Sequence, residues 1–267
     1  MALQFMVKPP KTLKPIWANV GVEVNYRTAL YKLIRKMHDS VQYWLEASYR
    51  QNEPEIAQDA IPAAELKKAI RKLSRRWQRQ FNDLAPDLAR YFSTAVYKRS
   101  DKALETILKK GGMSVKFKLT AAMRDVLHAT VNQNVNLIKS IPQKYLHEVE
   151  GLVMRSVQTG RDLHTLSKQL QKQYGVSKRR AALIARDQNN KASGSLQRVR
   201  QLELGITEAV WLHSSAGKKP RPTHVANNGK KYDIKKGWWD PAVKDFIHPG
   251  YLVNCRCTSK PIVPGFS

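Results

Sequence analysis

The sequence predicts a mainly α protein, an extended helical body carrying a small α+β C-terminal domain. Three observations lead there. Apolar residues recur at three- and four-residue steps through the first 200 positions. Glycines, prolines and hydroxyl residues punctuate those stripes where helices start and stop. After position 205 the texture changes to turn-rich stretches and alternating β-branched segments.

Taken in order, residues 1–22 hold Pro9, Pro10 and Pro15 and read as an extended arm rather than a core element. A long helix follows over about 23–50. Its stripe is Tyr26, Leu30, Leu33, Ile34, Met37, Val41, Trp44, Leu45 and Tyr49. "RQNEPEIAQDAIP" breaks the pattern, and a second helix opens near Pro62 with Leu66, Ile70, Leu73, Trp77 and Phe81 on one face. Its other face, Lys67 to Arg79, is densely basic, which suits either plain solvation or contact with an anionic partner. Separate helices are expected at 84–98 and 101–110, the latter capped by Ser100 and stopped by Gly111-Gly112. "SVKFKL" alternates like a short strand. Thr120 opens the next helix, which Ser140 and Pro142 are expected to break and restart before it runs on to Gly160. Gly175 should close a short helix, and Ser177 should cap another that ends at Gly205. In the tail, "TEAVWLHSS" and "LVNCRCTSKPIV" read as strands around turn-rich loops.

Charge narrows the function classes. Lys and Arg number 47 against 21 Asp and Glu, a formal net charge of +26. Such an excess favours an anionic partner, nucleic acid before an anionic membrane, or a place in a large assembly. The N-terminus has prolines where a secretory signal needs an apolar run, and no stretch has the length of a transmembrane helix. The expected setting is therefore a reducing cytoplasm with no membrane partner. No phosphate-binding loop, nucleotide fingerprint or long heptad run occurs.

The two cysteines, Cys255 and Cys257, sit one residue apart near the end. As a strand they would face one way into the tail's core as compact hydrophobes, with Arg256 turned outward. The competing reading is a zinc set of His224, His248, Cys255 and Cys257. A redox role needs the wider Cys-x-x-Cys spacing. His224 and His248 are read as hydrogen-bonded braces, or in the alternative as bases of a metal nuclease with Asn228 and Asn254 in range. Asp233, Asp240 and Asp245 have no recognisable metal spacing. Tyr232, Trp238 and Trp239 either cover the tail's core or stack on bases.

In order along the chain come "SKRRAALIARDQNNKA", a strand ending at Trp211, "RPTH" at 221–224, "NG" at 228–229, Asp240, His248-Pro249-Gly250 and "NCRC" at 254–257. This ordered set resembles the phage Mu F-like, or minor head protein, family of tailed-phage head morphogenesis proteins. The resemblance covers roughly 120–260 and is strongest from 177. Where family members carry an Asp-x-Arg-Thr-Arg run, this chain reads "SSAGKKPRPTH", so only Arg221 and His224 match. The Ala-Arg helix of the family usually continues with Thr-Glu, whereas this chain reads Arg186-Asp187-Gln188.

The resemblance implies a non-enzymatic virion component, assembled in a bacterial cytoplasm and lodged inside the capsid near the portal. Its implied partners are the portal protein, major capsid or scaffold proteins, and packaged double-stranded DNA bound without sequence preference. Together with the proline-rich arm at 1–22 and the apolar stripes of a helical body at 23–176, it sets a Mu F-like domain at 177–267. Arg186, Trp211, His224, His248, Asn254, Cys255 and Cys257 are then structural motif residues. Lys178, Arg179, Arg180, Lys218, Lys219, Arg221 and Arg256 are candidates for phosphate contact, the first three at an expected helix N-terminus. No cofactor is expected, and no catalytic residue. The competing function is a zinc-dependent nuclease or toxin-like effector, and a third is a free DNA-binding accessory protein.

Overall fold

The computed structural model describes residues 11–51, 61–159, 162–217 and 219–263. Four long helices lead: α1 (Val20–Gln51), α2 (Ile61–Lys110), α3 (Ala121–Gln158) and α4 (Leu163–Glu203). The rest is short: β1 (Lys11–Thr12) ahead of the helices, then β2 (Glu208–Leu212), α5 (Pro222–Ala226), β3 (Lys231–Asp233), β4 (Trp238–Asp240), β5 (Asp245–Ile247) and β6 (Thr258–Val263). A mainly α protein with a small α+β C-terminal part is what the sequence predicts. None of the helices among the described residues is long and apolar enough to cross a membrane.

The chain forms two compact units that alternate along the sequence. One holds residues 24–91 and 131–185, the other the stretches up to 23, 92–130 and from 186 on. The expected boundary at 176/177 falls inside α4.

The first unit is helical. Its core includes most of the expected stripe of α1, with Leu30, Ile34, Met37 and Leu45 fully buried, whereas Leu33 is half-buried and Trp44 is exposed because it lies off the buried face. Leu66, Ile70, Trp77 and Phe81 are buried on α2. Removing each such side chain from water stabilises the fold by about 1.5–3 kcal/mol. Some of the polar groups inside are paired. Tyr26 Oη donates to Asn134 Oδ1 at 2.9 Å, and His38 Nδ1 meets Tyr145 Oη at 2.8 Å.

The helix breaks expected at Ser100, Ser140–Pro142 and Gly175–Ser177 are absent, because packing overrides local preference. Pro86 lies within α2, flanked by the fully buried Ala85 and Ala89. Pro142 lies within α3, where side chains take up nearby carbonyls. Ser140 Oγ donates to Leu137 O at 2.7 Å and Gln78 Nε2 to Lys139 O at 3.3 Å. Other punctuation acts as expected. Gly112 adopts φ 89° after the end of α2, and Met113 N closes on Leu108 O at 2.9 Å. Thr120 Oγ1 accepts from Met123 N at 3.3 Å at the start of α3.

The second unit joins parts of the helices to the sheet. Its strands run in the order β1-β6-β2-β3, every pair antiparallel, and β4-β5 form a separate hairpin. The described part of the expected arm is tied in. Leu13 is buried, Leu13 N donates to Pro261 O at 3.0 Å, and Thr258 Oγ1 donates to Ile16 O at 2.8 Å. "SVKFKL" is not a strand. Val115 and Phe117 do turn inward, yet no strand pairs with them among the described residues, and Phe117 N donates to the Glu105 carboxylate at 3.1 Å. Trp211, fully buried, centres the core with Leu13, Leu104, Leu108 and Ile247. Arg200 on α4 grips Asp101 on α2 through paired bonds of 2.9 and 2.7 Å, also buried, with its guanidinium over the Phe117 ring.

Candidate functional site

The tail gathers its chemistry around His224. The ring sits on α5, whose first helical residue is Pro222, a position where the missing N–H costs nothing. The one-turn helix places His224 inward, 2% exposed, edge-on to Trp211 with ring centroids 5.2 Å apart.

Cys255 and Cys257 reach the same ring from the turn before β6. "NCRC" is thus not the closing strand that its alternation suggests, since β6 begins at Thr258. Asn254 explains the turn. It takes the left-handed conformation, φ 63°, which asparagine tolerates better than most residues. Two neighbours on α4 hold it there: Asp187 Oδ1 accepts from Asn254 N at 2.8 Å, and Arg186 Nη2 donates to Asn254 Oδ1 at 3.1 Å. Both thiols are therefore buried, as expected, at 3% and 8% exposure.

Both sulfurs lie 3.5 Å from the same atom, His224 Nδ1. The three ligand atoms all lie within 4.8 Å of one another. On the far side of the ring, Nε2 faces Asp240 Oδ2 at 3.4 Å. Asp240 is fully buried and its other oxygen accepts from Ala242 N at 2.9 Å. The Cys257 thiol donating to Cys255 holds Cys255 well below the ordinary thiol range, helped by His224 and by backbone N–H groups of Cys257 and Gly250. Cys255 and burial push Cys257 upward.

The cluster floors a cleft of about 330 Å³ that His213, Ser214, Lys219, Arg221, Asn254 and Arg256 also line. Among the described lining residues there is no carboxylate. Arg221 Nη2 donates to Val253 O at 2.9 Å and Arg256 Nη1 to Ala216 O at 2.8 Å, so both guanidinium groups tie loops at the rim.

His248 does not join the cluster. It contacts Arg198 Nη1 through Nε2, and burial first, then the Arg198 guanidinium, lower its pKa to about 4. Its neighbours Pro249 and Gly250 pack against α4, where Gly194 and Asn190 provide close backbone approach. Asn228 is structural too, accepting from His213 N at 2.9 Å. Lys178, Arg179 and Arg180 sit within α4, not at a helix N-terminus, so the phosphate site expected of unpaired N–H groups is not formed there. Lys178 lies over the Tyr31 and Tyr174 rings, Arg180 donates to Ser140 Oγ at 3.0 Å, and Arg179 is exposed. Lys219 is exposed, and Lys218 lies outside the described residues.

Sequence reasoning names Asp240 and Asp187 without giving either a partner, and it does not single out Arg198. Asp240 follows two tryptophans, and an acid closing an apolar strand is the signal that points to a buried, partnered carboxylate. Trp238 packs on Trp211, while Trp239 is exposed beside Phe246.

Comparison with known proteins agrees with the resemblance. Residues 147–260 match the model of the family described as Phage Mu protein F like protein. A curated relative, an uncharacterized protein from Haemophilus influenzae, is 26% identical over 259 residues. That match covers 95% of this chain and 56% of the relative, so the chain spans about half of the relative's length. No solved structure matches.

Proposed function

With residues 147–260 assigned to the Phage Mu protein F like region, we propose that the chain is a minor head protein of a tailed phage. It binds the portal or the inner capsid together with packaged DNA, and acts in head assembly and in DNA packaging or ejection. The family match carries this reading. The +26 net charge supports it, since such a protein must reside beside a dense polyanion. So does α2, whose Lys67, Lys68, Arg71, Lys72, Arg75, Arg76 and Arg79 are all exposed opposite its buried stripe.

The role is structural rather than hydrolytic. His248 stands apart from the cluster, held by Arg198, so the paired histidines that a metal nuclease would use are not brought together. The test is location. Antibody or mass-spectrometric detection should find the protein at low copy in procapsids and in virions, and the portal should be retained on a column bearing it. Absence from both particles overturns the proposal.

A further inference from the structure

We infer that Cys255, Cys257 and His224 form a zinc site, with Asp240 orienting the histidine and the fourth coordination place turned to the cleft.

Distance supports this first. Zinc–sulfur and zinc–nitrogen bonds of about 2.3 and about 2.05 Å at a tetrahedral angle set sulfur and nitrogen about 3.5–3.6 Å apart. Both Sγ–Nδ1 distances are 3.5 Å. Thiol hydrogen bonding explains only one of them. A neutral imidazole has a single in-plane lone pair at Nδ1, and two S–H groups cannot both lie along it. One cation between three donors satisfies both contacts.

The tautomer supports it next. Asp240 faces Nε2 at 3.4 Å and favours the proton there, which leaves the Nδ1 lone pair turned to the sulfurs. A carboxylate behind a ligating histidine is the usual second partner of such a ring. A dication offsets the two thiolates, so no further negative charge is added beside the fully buried Asp240. Two thiolates and an imidazole select a soft, tetrahedral ion over magnesium or calcium.

Position gives the site its task. The donors come from α5 and from the turn before β6, and Asp240 from β4. These segments are short, and β4 and β5 are three-residue strands. A metal ties them where the sheet itself supplies few hydrogen bonds. The inference stands apart from the head-protein reading, since a zinc staple suits any role of the domain.

The test uses the full chain. Elemental analysis after purification without chelator should find about one zinc per chain, lost in C255S and in C257S. Replacement with Co2+ should give an intense visible spectrum of tetrahedral cobalt together with a thiolate-to-cobalt charge-transfer band. D240N should weaken zinc affinity about 10- to 100-fold, whereas H248Q should retain the metal. Folded wild-type protein that carries no zinc, and shows no charge-transfer band with Co2+, overturns the inference. That reading needs no variant, so misfolding of a cysteine mutant does not obscure it.

Discussion

At the scale of single residues, Gly194 shows how α4 and the tail constrain each other. A Cβ there would lie 2.7 Å from the Pro249 carbonyl oxygen, too close for any atom to sit. In an exposed helix Gly→Ala gains about 1 kcal/mol. Here the sign reverses, and G194A should destabilise the protein by about 1–3 kcal/mol in denaturant unfolding. His248 gives a pH test. Its ring is neutral when folded, with a pKa lowered from 6.5 to about 4, first by burial and then by Arg198, with Asp233 opposing. The unfolded chain therefore binds the extra proton between those values. Its contribution is full above about pH 6.5 and is lost as pH falls toward about 4. For a half-buried, partly screened ring the loss is about 1–2 kcal/mol. Unfolding measured across this range should show a shallower acid slope in H248Q. The remaining slope includes His38, whose pKa burial also lowers. Among these residues, His224 and the cysteine pair were legible as chemistry because their types are rare and clustered. Asp240 was not, because it reaches His224 only through a hairpin that no local spacing announces.

At the scale of elements, amphipathic stripes were legible wherever one face is buried, and capping residues marked true ends at Gly112, Thr120 and Gly205. Breaks were over-read. Pro86, Pro142 and Gly175 each weaken a helix locally, yet long apolar stripes on either side keep it continuous. The strand expected at "SVKFKL" failed for the converse reason: alternation was present, but among the described residues a pairing partner was not. The exposed cations of α2 are where electrostatic binding should be concentrated. Neutralising Lys67, Lys68, Arg71 and Lys72 to Gln should weaken binding to duplex DNA of any sequence. If all four meet phosphates, the slope of log affinity against log salt should become shallower by about three to four. Filter binding or fluorescence anisotropy at several salt concentrations would measure it. An unchanged slope would place DNA contact elsewhere.

At the scale of the whole molecule, the sequence reads as a body followed by a tail, whereas compactness follows a different division. The tail's core needs residues from far earlier in the chain. Leu13, Leu104 and Leu108 pack with Trp211, and Arg200 is buried against Asp101. A fragment of residues 177–267 would therefore expose apolar surface around Trp211 and leave Arg200 without its bidentate partner. Losing one member of a buried ion pair alone costs about 3–5 kcal/mol, comparable with the whole stability of a small domain. The isolated fragment should accordingly lack cooperative thermal unfolding and show poorly dispersed amide resonances, even with zinc supplied. Zinc changes the outcome only if the metal outweighs the lost core, and a well-dispersed zinc-bound spectrum would show that it does. In that case the residues after 176 would be an autonomous domain whose metal, rather than its contacts with α2 and β1, determines the fold.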